Sequence, residues 1–516
     1  MNLPIKFSSL VTLGFLLLSP ISVVVQLEPI VVLAQTSQDK KTQADRLIEE
    51  ADGLAADNFI KALDKYTQAL QIYRQIRESA AESATRQKLE SALVAAQPLA
   101  EQEEKEMMET ISNLIAKYPK TENNITAIRL QELTASKLGF AIRGSAEDAP
   151  MQISEVNQKA FEGIRKELNQ YIEAQIKNPT NKIDQPPEKL RRYLAANADT
   201  LAALRTLILN NEQPRWATDV TQLYEKNYSY ALPSHLGIVN LQKILALDIL
   251  EKQRAGKTQE MQEALEVSWK IGQSLQNSPF LIGQLVSIIN TRIQAGVMRK
   301  LDNLPSKWQE RLLAHDYRKS LLTSLEVEMV STVGFFNQVN PSEVEKQLEE
   351  LELDAGLKYL KSMGWQQWSE SLRKNYLRWI AINNFQTERR IAAQLAQENI
   401  CNLNYDSWLE RQDINKALFF PEDVFAGDPG YGSFGWVNSG RFMLELELTQ
   451  KILQVKELAA KAGTFPQSVP SMDSSVCPGS KWIYQVSPNG TMSISLSPIP
   501  AWLSEYKGLP LTYRKD

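Results

Sequence analysis

From Lys41 to Ala462 the apolar residues recur at spacings of three and four, and proline returns at helix-length intervals. Together these restrict the chain to packed helices, because an apolar stripe of period 3.6 is buried as one face of a helix. The prolines are Pro119, Pro150, Pro179, Pro186, Pro187, Pro214, Pro233, Pro279, Pro305 and Pro341. Proline fits a first helical turn and breaks a helix interior, so each marks a junction. Asn178, Ser278 and Asn340 stand directly before a proline as capping residues, and Ser342 lies three before Glu345 in the spacing of a capping box. Leu281, Leu285, Ile288, Ile289, Ile293 and Val297 read as one deeply buried helix. Leu236, Val239, Leu241, Leu245, Leu247 and Ile249 read as another. The expected fold class is mainly α, an α-solenoid or a multi-helix bundle with a small C-terminal helix plus β-hairpin module.

Composition narrows the function classes. Hydrophobic residues make up 43% of the 516 residues, enough for a large core, so general disorder is excluded. Lys and Arg number 57 against 61 Asp and Glu, a net charge of -4, which argues against a dedicated nucleic-acid binder.

The segment from Phe7 to Val25 is apolar and uncharged, follows Lys6, and leads through a second apolar run to Val32-Leu33-Ala34. This is the pattern of a secretory signal cut after Ala34. The competing reading is an uncleaved anchor, interrupted by Pro20 and Glu28, and a membrane is a partner only in that case. Beyond Ala34 no apolar run approaches spanning length, so the mature chain is expected to be exported to the periplasm or cell envelope.

In the first hairpin Leu47, Ala51 and Leu54 share a face, Asp57-Asn58 breaks the pattern, and Phe59, Ala62, Leu63, Tyr66, Ala69, Leu70 and Tyr73 form the next face. Residues 41–75 resemble a tetratricopeptide unit of secreted bacterial proteins. Ala51 takes the small position of the first helix, and Ala62, Tyr66 and Ala69 the small–aromatic–small run of the second. The spacing from Ala51 to Ala62 is one residue short of that family, and its Trp and Pro markers are missing. One unit cannot bury its own face and no second clean copy follows, so the hairpin is expected to pack on the helices after it. If the hairpin is used as such units are, contacts come from Asn58, Lys61, Lys65 and Gln68.

The run Leu190-Arg191-Arg192-Tyr193-Leu194, with Arg215-Trp216, His235-Leu236, Ala264-Leu265 and Ser278-Pro279-Phe280, resembles an uncharacterised family of exported helical proteins, which implies architecture and no activity. Farther on, Gly427, Gly430, Gly432, Gly435 and Gly440 interleave with Phe420, Phe425, Tyr431, Phe434 and Trp436. This stretch reads as an irregular loop over 419–440, with a helix resuming at Leu444 and stopping near Gly463. Trp482, Tyr484 and Val486 alternate, Pro488-Asn489-Gly490 turns, and Met492, Ile494 and Leu496 alternate back, which is a β-hairpin. The order Gly463-Thr464-Phe465-Pro466, Cys477-Pro478-Gly479, Trp482-Ile483-Tyr484, Asn489-Gly490 resembles the back half of pseudopilins. The expected organisation is a signal over 1–34, the hairpin and following helices over 35–118, a helical body over 119–418, the loop over 419–440 and the module over 441–516.

Little chemistry is encoded. Cys401 and Cys477 are the two cysteines; export into an oxidising compartment favours a disulfide between them, and two separate thiols are the alternative. The two histidines, His235 and His315, read as helix-end or surface groups. No zinc, phosphate-loop, dinucleotide or nucleophile-elbow spacing occurs, so no catalytic, metal-ligating or cofactor-binding residue is assigned. Glu326, Glu328, Glu345, Glu349 and Glu350 read as solvated faces. Glu422, Asp423 and Asp428, beside aromatics, are the better candidates for acid–base work on a glycan. Trp365, Trp368 and Trp379 form a possible platform, with core packing the plainer reading. The expectation is a non-catalytic exported scaffold with a protein or peptide partner. The alternatives are a component associated with pilus or secretion machinery and an envelope glycan hydrolase using the 422–428 acids.

Overall fold

A computed structural model describes residues 36–143, 153–225, 235–350, 360–361, 364–402, 429–505 and 508–515. The signal segment and the acids at 422, 423 and 428 lie outside the described residues. The helices, in chain order, are α1 (Ser37–Leu54), α2 (Phe59–Gln75), α3 (Ser79–Ala95), α4 (Gln97–Ala116), α5 (Ile125–Leu133), α6 (Glu155–Lys177), α7 (Glu188–Ala196), α8 (Ala198–Asn210) and α9 (Thr221–Glu225). They continue with α10 (Leu236–Arg254), α11 (Thr258–Gln273), α12 (Leu281–Met298), α13 (Lys307–Leu313), α14 (Tyr317–Gln338), α15 (Val344–Glu350), α16 (Glu370–Leu395) and α17 (Pro429–Ala462). None of the described helices is long and apolar enough to cross a membrane.

Pro119, Pro179, Pro186, Pro187, Pro214, Pro279, Pro305 and Pro341 lie at junctions between helices, with one change of mechanism, and Pro150 and Pro233 lie outside the described residues. The side chains of Asn178, Ser278 and Asn340 each accept the backbone N–H two residues on, from Thr180, Phe280 and Ser342. They fold the chain around the intervening proline as Asx-type and Ser turns, while α12 and α15 begin further on, at Leu281 and Val344. The capping-box role expected for Ser342 and Glu345 is not taken: Ser342 bonds to Asn340, and Glu345 Oε2 accepts from Gln366.

Two large cores hold the helices. One takes in α5 to α8, α10 to α13, α17 and the C-terminal strands. The other joins the α1–α2 hairpin, α3, α4, α9, α14 and α16. Two long helices belong to both. Tyr317, Leu321 and Leu322 of α14 lie in the first core, and Val327, Val330 and Val333 lie in the second. Ile391 and Leu395 of α16 lie in the first, and Tyr376, Trp379 and Phe385 in the second. A solenoid unit meets only its neighbours. Here Arg86 donates to Gln367 at 3.0 Å and Asn375 donates to Leu93 O at 2.5 Å across more than 280 residues. The chain closes on itself as a multi-helix bundle.

At the C-terminal end, β1 (Lys481–Val486), β2 (Met492–Ser497) and β3 (Thr512–Lys515) form an antiparallel sheet in the order β1-β2-β3. Trp482 pairs with Leu496, Tyr484 with Ile494 and Val486 with Met492, so the expected apolar face is in register. β3 adds a third strand to the expected hairpin. The helix expected to resume at Leu444 begins at Pro429, so residues 429–440 of the expected loop are helical. Pro429 suits a helix start. Gly440 is required by packing: a Cβ there would lie 1.8 Å from Ile400 Cδ1. Tertiary burial of this kind outweighs the weak helix propensity of glycine.

Candidate functional site

The hairpin is the first region to which the sequence points. Its aromatics are structural: Phe59, Tyr66 and Tyr73 are buried. The hydroxyl of Tyr66 donates to Asp52 at 2.6 Å, and that of Tyr73 donates to Asp45. Both pairs are separated by seven residues on their own helices, so two turns of α2 repeat one clamp on α1. Lys88 of α3 closes on the other oxygen of Asp52 at 2.5 Å, binding three helices at one carboxylate. Phe59 lies 4.8 Å from Trp379 of α16, ring centre to ring centre. The hairpin is thus docked on a helix over 300 residues away in sequence.

Asn58, Lys61, Lys65 and Gln68 fall along one side of α2, as their spacing requires. Asn58 caps the helix through Lys61 N, Lys65 pairs with Glu50 at 2.8 Å, and Gln68 donates to Asp64. Asn58 is exposed and the other three are half-buried. They form a polar surface strip already engaged within the hairpin.

Cys401 and Cys477 are joined, with Cα atoms 5.5 Å apart, and the bond fastens the segment after α16 to the loop before β1. Both histidines sit at helix ends, as expected, but His235 is buried. His235 is buried against Trp216, with ring centres 5.1 Å apart, in a left-handed backbone conformation just before α10. His315 sits in the turn between α13 and α14, not in a helix. Its Nε2 lies 2.9 Å from Ser320 Oγ, the spacing of a base and a nucleophile. Burial lowers its pKa, with Asp316 opposing. Acyl transfer also needs donors aimed at a developing oxyanion. The nearby first-turn amides are already used: Arg318 N and Lys319 N donate to Asp316 Oδ1, and Ser320 N donates to Asp316 O. The pair belongs to a helix start.

Trp365, Trp368 and Trp379 are buried, so they are core side chains. Trp365 lies in a 3-10 turn, and Arg373 sits 5.6 Å above its ring.

The densest ionisable group was not legible in the sequence. It surrounds α12 and α17. Glu445 is 0% exposed. Its Oε2 receives Arg292 Nε at 2.6 Å, and its Oε1 lies 3.3 Å from Arg441 Nε and receives Leu509 N at 3.0 Å. Arg299, also buried, donates to Glu445 O, Thr449 Oγ1 and Pro510 O. Burial draws its pKa down to about 10, with Glu445 opposing. Glu447 receives Ser474 Oγ, both Ser475 donors and the Trp482 indole N–H.

Charges also close the helix ends. Lys456 donates to Arg299 O and Leu301 O just past the C-terminus of α12. Lys300 donates to Asn178 O and Thr180 O beyond α6. Glu328 receives Leu281 N at the start of α12, so it is not part of a free solvated face. The signs suit the helix dipole at each end. Burial nevertheless moves all three toward neutrality. Lys456 falls to about 7 against the pull of Asp302, Lys300 falls to about 8 against Asp184, and Glu328 rises to about 7 against the Leu281 N–H bond.

The signal for this group is the i,i+4 pair Arg441–Glu445 with Phe442, Met443 and Leu444 between its members. A carboxylate there has no solvated face and needs a cation from elsewhere. Among the described residues no cluster of three or more His, Cys, Asp or Glu side chains is arranged to hold a metal. No family model, no curated protein and no solved structure matches this chain.

Proposed function

We propose that the chain is an exported, non-catalytic helical scaffold that binds protein or peptide partners in the cell envelope. The observation that supports this reading is the use made of the interior charges. Glu328, Lys456 and Lys300 close helix ends, Glu445 and Arg299 hold the segment before β3, and Glu447 holds the loop before β1. A reactive group needs a free proton-transfer partner or a developing charge to meet. These groups are committed to backbone and to each other. Recognition then falls to the surface, where the strip Asn58–Gln68 on α2 offers half-exposed lysines and amides.

The test uses the oxidised chain without residues 1–34. A partner captured from envelope extract is purified and titrated against it by calorimetry. Saturable binding, weakened at least tenfold by K61E combined with K65E, is the expected result. Hydrolysis of envelope glycan by the purified chain, or no partner that binds saturably, overturns the reading.

A further inference from the structure

Helix α12 carries a buried polar stripe, and Asn290 within it makes no hydrogen bond of the kind that Thr291 and Gln294 make. Ser287, Asn290, Thr291 and Gln294 are each no more than 2% exposed. Two hydrogen-bonded networks meet along this stripe. In the first, the Tyr317 hydroxyl lies 2.8 Å from Thr291 Oγ1 and accepts Gln276 Nε2 at 2.9 Å. In the second, Gln294 Nε2 donates to Ser268 O at 2.6 Å and reaches Gln242 Oε1 at 3.3 Å, while Ser268 Oγ donates to Gln242 at 2.6 Å. Asn290 stands between them, three residues after Ser287 and four before Gln294, the spacings that place side chains side by side on a helix.

Asn290 is 0% exposed, and neither Oδ1 nor Nδ2 has a hydrogen-bond partner among the described residues. Flipping the amide changes nothing, since both of its ends are in the same position. A buried amide in this state costs on the order of 1–3 kcal/mol if it stays dry, and buried polar groups in folded proteins are otherwise satisfied. We infer that Asn290 is an internal water-binding site, set on α12 between the Tyr317 hydroxyl network and the Gln242–Ser268–Gln294 amide network. The stripe supplies amides and hydroxyls of both hydrogen-bonding senses and no formal charge. That chemistry suits water, which needs two to four polar partners, and does not suit an ion. The inference is independent of the proposed scaffold role.

The sign of one substitution separates a wet site from a dry one. Asn290→Leu fills a similar volume with no polar atom. At a wet site it expels the water and strips its neighbours of a partner. The urea midpoint then falls, and the count of long-lived waters from oxygen-17 relaxation dispersion drops by at least one. At a dry site it removes an unpaired amide, so the midpoint holds or rises and the water count is unchanged; that result overturns the inference. If N290L does not fold, a high-resolution crystal structure of the unaltered chain decides. Ordered water within hydrogen-bonding distance of Asn290 Oδ1 or Nδ2 supports the inference. An amide without one overturns it.

Discussion

Replacing Glu445 by Gln tests the interior electrostatics most directly. The substitution preserves the shape and leaves one oxygen for the Leu509 N–H. It removes the negative charge on which Arg292 and Arg441 converge, at 2.6 and 3.3 Å. It also turns an amide NH2 toward donors that need an acceptor. Arg441 retains bonds to Leu503 O and Leu509 O, but its charge loses its counterion, while burial already lowers its pKa against the pull of Glu445. Breaking a buried pair in this way costs about 3–5 kcal/mol, a large share of the roughly 5–15 kcal/mol that holds a domain together. Urea unfolding should show the midpoint falling with an unchanged slope. The loss should persist at high salt, because a pair this deeply covered is weakly screened. Pairing E445Q with R292Q then measures the coupling, expected at about 1–3 kcal/mol for residues in direct contact. A cost under about 1 kcal/mol, or additive single and double variants, would show that water reaches the cluster and refute the reasoning.

Three further outcomes follow from particular contacts. Cys401→Ser opens a cross-link between residues 76 apart, which in the chain-entropy model costs about 4.5 kcal/mol; reduced wild type and C401S should unfold at one urea midpoint, below that of the oxidised chain. Phe59→Ala removes a fully covered ring packed at a tilt against Trp379 and should cost about 3–5 kcal/mol in chemical unfolding, with the change carried by tryptophan fluorescence. Glu328 has a folded pKa raised from 4.5 to about 7 by burial, so between those values the folded chain keeps a proton that the unfolded chain has lost. Its contribution is therefore present below pH 4.5 and lost as pH rises to 7. Glu328 is partly exposed, so the change is about 1–3 kcal/mol. Glu328→Gln should flatten that slope and leave the variant relatively more stable at pH 8, as read from urea midpoints across the range; parallel pH profiles for the two proteins would count against it.

The elements with a strong local signal were legible in the sequence. Proline placement located the junctions, and Asn489-Gly490 located the hairpin with its register, because pleat alternation fixes which side chains share a face. What was not legible depends on distant partners. β3 spans four residues after Pro510, too few for a period, and its place comes from pairing with β2 and from Arg514 N donating to Pro179 O. The apolar positions of α12 read as a deeply buried helix, but nothing in the sequence shows that its polar positions Ser287, Asn290, Thr291 and Gln294 are covered as well. They are covered because α10, α11, α14 and α17 surround that helix, and no local pattern states how many neighbours a helix will have. Glu445 and Glu447 were hidden in the same way. Their alternation with Leu444, Leu446 and Leu448 resembles a strand, but all five are buried on one helix enclosed on every side. At the site level, the strip on α2 was readable, while its clamps to Asp45 and Asp52 required the neighbouring helix.

The burial of these charges also decides how the C-terminal module should be probed. Deleting residues 463–516 is the obvious test of the secretion-machinery alternative. The deletion would remove the Leu509 N–H from Glu445, Pro510 O from Arg299, the Ser474 and Ser475 donors from Glu447, and Lys515 from Asp302. It would also uncover α17 where the Trp482 indole meets Glu447 and the Tyr513 ring meets Lys456. Several buried polar groups stripped of partners at once, at about 1–3 kcal/mol each, exceed what a domain can lose. Loss of a partner in that truncation would report unfolding. The outward side of the sheet, where Ile483, Gln485 and Arg514 are exposed, can be altered without touching those bonds. Ile483→Lys with Gln485→Glu should leave the urea midpoint in place. If the module recruits a partner through the sheet, the pair abolishes that binding in a protein that is still folded; binding retained at full strength excludes this face.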